Sequence, residues 1–251
     1  MKAHVKLTVP ESKRLIAKGV AAMDIVKKAL AEGIVSIAKG TTNGRVVEEV
    51  LGEKIDRSSY VTGNIQPSRG SEGDVTLSAS LPDVVLQNGE KVEGLTSIES
   101  VAKMKQGDVF VKGCNALNYK QKLGGILVGH HAGGTVGGTL GTIVARKIHL
   151  ILPVGLEKSV YADMNDISKS VRTDDEYVGG GPTLMPVSGH IVTEIEALKT
   201  LADVEALQVA AGGVVGAEGG VWLLIEGEKA QIEKALEIIE ECRNLEEGAI
   251  F

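Results

Sequence analysis

Aromatic side chains are scarce, with 2 Phe, 1 Trp and 4 Tyr among 251 residues. A core must therefore be aliphatic, and the aromatic platforms on which proteins stack single-stranded RNA are not expected. Cysteine is limited to Cys114 and Cys242, with no CxxC pair. That excludes a disulfide scaffold and fits a reducing, cytoplasmic setting. The opening MKAHVKLTVPESKR holds no apolar run of signal-peptide length. Lys and Arg number 27 against 33 Asp and Glu, a net charge of −6, and nowhere gather into a basic stripe. Nucleic acid is therefore not an expected partner. The longest stretch without these four charged residues, 123–145, carries eight glycines and two histidines. It is too weakly hydrophobic to insert, so no membrane association is expected. Neither a Walker A loop nor GxGxxG occurs, and no motif calls for a cofactor. What is abundant is glycine, at 32 residues.

Hydrophobic residues at 43% and charged residues at 24% mark a chain that folds. Ile16, Val20, Met23, Val26 and Leu30 recur at helical spacing and predict one helix that Gly33 stops. Residues 34–38 read as a buried strand, 40–44 as a glycine turn, and Val46, Val47, Val50 and Leu51 resume a helical period. Strands are predicted at 60–65 and 75–81, and Asn88-Gly89 predicts a type I′ hairpin. Thr96 and Glu99 form a capping-box signature. Strands at 108–112, 126–128 and 148–153 alternate with a glycine-containing helix over 135–147. This alternation predicts an α/β fold with a mainly parallel sheet and helices on both faces.

The polar, glycine-dense residues 169–186 read as a linker. Beyond them a βαββα set over 187–251 predicts a small ferredoxin-like α+β domain, appended to an α/β ligand-binding domain spanning 1–168.

The turn Lys39-Gly40-Thr41-Thr42-Asn43-Gly44 lies between a buried strand and a helix, where free N–H groups of the helix start attract an anion. Thr41 and Thr42 add hydroxyl donors, and Lys39 or Arg45 adds charge; a plain strand–helix turn capped by threonine has the same pattern. A second turn, Gly133-Gly134-Thr135, opens the helix over 135–147 and would share a ligand if its strand ended at the same crevice. The alternative is close helix–sheet packing. Gly113-Cys114-Asn115 follows the strand at 108–112 and would face that crevice too, with Cys114 read as a small buried thiol rather than a nucleophile. His130 and His131 alternate sides in an extended segment and so do not read as a metal pair. Asp163 and Asp166 read as a solvated helix start, the 212–220 loop as a lid or interface, and Cys242 as core.

The run from the first helix through the 34–38 strand and the 39–44 turn resembles the start of the superfold shared by ribose-5-phosphate isomerase, the CoA-transferases and glucosamine-phosphate deaminase, whose first strand ends in a Gly-Thr-Gly-Ser-Thr type phosphate loop. Asp108-Val109-Phe110-Val111-Lys112-Gly113-Cys114-Asn115-Ala116 resembles the strand-plus-Gly-Ala-Asp-Ala element of methylthioribose-phosphate isomerases and of regulatory subunits of the initiation factor 2B group. Gly133-Gly134-Thr135 with its helix, and Ile151-Leu152-Pro153-Val154-Gly155-Leu156-Glu157-Lys158, are similar to the two elements that follow there. The resemblance covers about 11–165. It implies a phosphorylated or otherwise anionic small-molecule ligand, such as a sugar phosphate, nucleotide or CoA derivative. It also implies isomerase or transferase chemistry, or a ligand-sensing regulatory role, in a homo-oligomer. Asn115 stands where such isomerases carry aspartate and cannot exchange a proton as a carboxylate does. No glutamate matches a transferase nucleophile, since Glu72 and Glu218 lie in Gly-flanked loops.

Overall fold

A computed structural model describes residues 1–62, 65, 80–178 and 181–243. The fold is α/β, with eight α-helices and three sheets among the described residues. Its centre is a six-stranded sheet in the order β10-β8-β5-β2-β3-β4, formed by His190–Val192, His149–Pro153, Val109–Val111, Ile34–Ile37, Val84–Gln87 and Glu90–Lys91. Pairings β10/β8, β8/β5 and β5/β2 are parallel, while β3 and β4 return antiparallel. The β3–β4 hairpin turns on Asn88 and Gly89, both at positive φ (52° and 82°), as an Asn-Gly type I′ turn requires.

The four parallel strands are buried on both sides, so their apolar residues run without polar alternation. Val109 and Val111 join one cluster with Ile16, Ala17 and Val20 of helix α1 (Val9–Ala22), whereas Phe110 faces a second cluster that includes Ile143 of α5 (Gly134–Ala145). Helices thus cover both faces. The helix predicted through Leu30 is in fact two: the chain is extended at Met23 (ψ 134°), separating α1 from α2 (Asp24–Glu32). Thr8 and Glu11 cap α1 reciprocally, and Gly33 ends α2 where Asp108 Oδ1 accepts the Ile34 N–H at 2.9 Å. A Cβ on Gly33 would sit 2.6 Å from that oxygen.

A second, antiparallel sheet is β6-β7-β9 (Ala116–Asn118, Leu123–Val128, Thr183–Ser188). Residues 183–186, read from the sequence as linker, are therefore strand, paired with Gly125–Val128 of β7; α6 (Met164–Ser170) occupies the start of the same stretch. The third sheet is β1-β12-β11 (Lys2–Leu7, Gly220–Glu226, Glu205–Gly212). The elements expected to make one ferredoxin-like unit are divided between sheets. Strand β10 extends the large sheet beside β8, and the N-terminal β1 pairs with β12 in the small one. Helix α7 (Glu194–Ala202) presses Ala197 on Gly19 of α1, and α8 (Lys229–Arg243) packs on α1 as well. Cys242 is buried in α8 as expected, and Thr96 and Glu99 cap α4 (Ser97–Ser100) as their spacing predicted. Residues 60–62 are irregular rather than strand, and most of 75–81 and Glu72 lie outside the described residues. No helix among the described residues is long and apolar enough to cross a membrane.

Candidate functional site

The parallel strands β2, β5, β8 and β10 end along one edge of the large sheet, and the segments that follow them carry polar residues. After β2 comes α3 (Thr41–Leu51), whose first internal bond runs from Gly44 N–H to Gly40 O at 2.8 Å. The N–H groups of Thr41, Thr42 and Asn43 accordingly have no acceptor within the helix. Gly40 caps α3 without a side chain, its own N–H donating to Tyr60 O at 3.0 Å. Lys39 turns aside: its N–H reaches Asp83 Oδ1 at 3.3 Å and its Nζ the Ser80 hydroxyl at 2.8 Å. A Cβ on Gly44 would make ordinary contacts with Arg57 and Tyr60 at 3.4 and 3.6 Å, so this glycine faces packed side chains rather than an open ligand space.

Asn43 is fully buried. Its Nδ2 donates to Ala38 O at 2.7 Å, holding the turn against the end of β2. Its Oδ1 has no hydrogen-bond partner among the described residues and looks toward Gly113, where a Cβ would lie 3.6 Å away. The structure thus brings the 39–44 and 113–115 segments together. Cys114 is buried with its Sγ against Gly124, and burial pushes its thiol up to about 11, as befits a packed thiol rather than a nucleophile. Asn115 is occupied by structure, its N–H donating to Gly125 O at 2.8 Å and its Oδ1 accepting from Leu127 N–H at 3.0 Å.

Gly133-Gly134-Thr135 is placed differently. It follows β7, which lies in the antiparallel sheet, so this turn does not stand at an end of the parallel strands. Its glycines are explained locally. Gly133 and Gly134 have positive φ (83° and 59°), and a Cβ on Gly133 would come within 2.8 Å of Gly137 Cα. His130 and His131 stack on each other with centroids 4.3 Å apart. Asp163 caps α6 by accepting from Asn165 and Asp166 N–H, the solvated helix start expected of it.

Several residues of this edge were not singled out as candidates from the sequence. Lys112 directly follows β5, Glu157 and Lys158 form a 3₁₀ turn after β8, Glu194 begins α7 after β10, and Lys13 arrives from α1. Lys158, Glu157 and Arg45 lie close enough to act on the Lys13 ammonium, and Lys158, Cys114 and Asp83 on Lys112. Both lysines are held below the usual lysine range, first by burial and then by the neighbouring cations. Lys158 Nζ also donates to Cys114 O at 3.0 Å. Arg45 is 9% exposed; its Nη1 pairs with Glu48 at 3.2 Å, and its Nη2 has no hydrogen-bond partner among the described residues. Glu194 is pushed up to about 7, by burial and then by Glu157 beside it, although Ser12 and the Leu156 N–H bond its carboxylate. Position immediately after a parallel strand was the available signal for Lys112, Glu157 and Glu194. Lys13 had none, because only the packing of α1 carries it there.

No protein-family model, no curated protein and no solved structure matches this chain.

Proposed function

We propose that the protein binds a phosphorylated or otherwise anionic small molecule at the C-terminal edge of β2, β5 and β8. The carrying observation is the gathering there of four cations: Lys13 and Lys112, both held below the usual lysine range by burial, have Lys158 as a common neighbour that repels each of them, and Arg45 repels Lys13 as well. An anion relieves that repulsion. The N–H groups of Thr41–Asn43, which have no acceptor within their helix, and the Nη2 of Arg45, which has no hydrogen-bond partner among the described residues, add directed donors. The sequence resemblance to the sugar-phosphate isomerase and CoA-transferase superfold supports the same ligand class. Isomerase or transferase chemistry is one consequence; a ligand-sensing subunit without turnover is the other, favoured by the structural engagement of Asn115 where an isomerase would carry a free acid.

Calorimetric titration with a panel of sugar phosphates, nucleotides and CoA esters tests the reading. At least one member should bind, and Lys13→Met should weaken it at least ~10-fold, the loss of one charge-assisted contact. Equal affinity in both proteins refutes the assignment of this edge. Consumption of the bound compound would decide for catalysis over sensing.

A further inference from the structure

Glu157 and Glu194 are the acidic groups at this edge that anion binding leaves unused. Glu194 is fully enclosed at the start of α7; its Oε2 accepts from Leu156 N–H at 3.0 Å, and Ser12 of α1 bonds the same carboxylate. Its Oε1 has no partner among the described residues, and neither has Glu157 Oε2, which is equally shut from water. The Glu157 carboxylate lies over Gly155, where a Cβ would overlap Oε2. Gly219, from the loop between β11 and β12, closes on its stem. The titratable group acting on Glu194 is Glu157; the turn contributes a backbone N–H, α1 the Ser12 hydroxyl, and α7 its own N-terminal N–H. Lys13 is a cation close to Glu157, with Lys158 and Arg45 also near it.

An enclosed carboxylate with an unpartnered oxygen, beside a second carboxylate, is costly as an anion. A proton on Glu194 removes that charge and turns the carboxyl into a donor. We propose that Glu194 holds an exchangeable proton beside the Glu157 carboxylate, and that this proton is held more firmly when the adjoining edge takes an anion. The coupling rests on the reading of that edge given above. Lys13 transmits it: an anion that engages Lys13 withdraws positive potential from these carboxylates, and Glu194 keeps its proton to higher pH. In the coupled step one proton comes from solvent, one O–H bond forms on a carboxylate oxygen, and no electrons change hands. The site then holds an acid–base group beside its ligand, the element that Asn115 does not supply.

Infrared difference spectra of the full chain between about pH 5.5 and 8.5 read the proton directly, as a protonated-carboxyl C=O band that titrates near neutrality. The band should be lost in Glu194→Gln and should move to lower pH in Glu157→Gln. Its absence from the wild type, or an unchanged midpoint in Glu157→Gln, overturns the proton on Glu194. Sulfate, which does not itself titrate in this range, probes the coupling. At about pH 7.5 a saturating amount should increase the band, and titration in two buffers of different ionisation enthalpy should show proton uptake. Sulfate binding without proton uptake overturns the coupling alone. A failure of sulfate to bind overturns the anion reading and the coupling with it, while the pH titration still decides the proton.

Discussion

Glu194 sits at the first position of α7, where a sequence reader sees an ordinary first-turn acid, yet it is enclosed and keeps its proton to about 7. In the unfolded chain the same carboxyl titrates near 4.5. The folded state therefore binds the extra proton between these values: the contribution is complete below the unfolded value and is lost as pH rises through the folded one. From the width of the window it amounts to about 3 kcal/mol. Urea denaturation midpoints should fall more steeply with rising pH, between about pH 4 and 8, in the wild type than in Glu194→Gln. Parallel pH profiles in the two proteins would show that Glu194 is not buried as described. Lys13 and Lys112 illustrate the same point with the opposite charge, since neither residue type nor spacing discloses that folding brings them among other cations.

At the level of elements, glycine does several different things. Asn88-Gly89 makes a turn that was legible because the dipeptide itself needs positive φ. Gly19, by contrast, was invisible as anything but a helical residue. It lets α1 approach α7, and a Cβ there would lie 2.6 Å from Ala197 Cβ and 2.7 Å from its Cα. Gly19→Leu should therefore cost at least ~2 kcal/mol by forcing the helices apart, against the usual gain from replacing glycine in a helix. Thermal unfolding would measure it, and a stability equal to wild type would mean that the helices do not cross there. The Gly133 turn looked equivalent to the Gly40 turn in sequence, since both are glycine-rich helix starts. They differ because β2 pairs in the parallel sheet and β7 in an antiparallel one, a matter of pairing between distant strands.

For the whole molecule, the first strand is tied to the last one described. Strand β1 pairs with β12 from Lys2↔Glu226 to Leu7↔Val221, burying Val5 and Leu7. A fragment of residues 187–251 would lack β1 and the β8 edge on which β10 lies, so it should show no cooperative unfolding by circular dichroism. A sigmoidal melt from that fragment would establish an autonomous domain. The resemblance implies self-association, and among the described residues β11 is an edge strand that would suit it. This edge strand exposes Leu207 and Val209, and the following loop exposes Val214 and Val215. If copies pair there, sedimentation should show a dimer that Val209→Lys converts to monomer; a dimer unaffected by the change would place the interface elsewhere.

By itself the sequence determined the local order: the aliphatic core, the parallel strands at 34–37, 109–111 and 149–153, the hairpin, the cap at Thr96, and a helix start after β2 suited to an anion. Those features depend on periodicity and on residues within a few positions of one another. The tertiary structure alone decided that β1 closes the last sheet, that β9 continues what read as a linker, and that Lys13, Arg45, Lys112, Lys158, Glu157 and Glu194 gather at one edge. Strand partners and buried charges are chosen by contacts between residues far apart in the chain, where sequence spacing carries no distance.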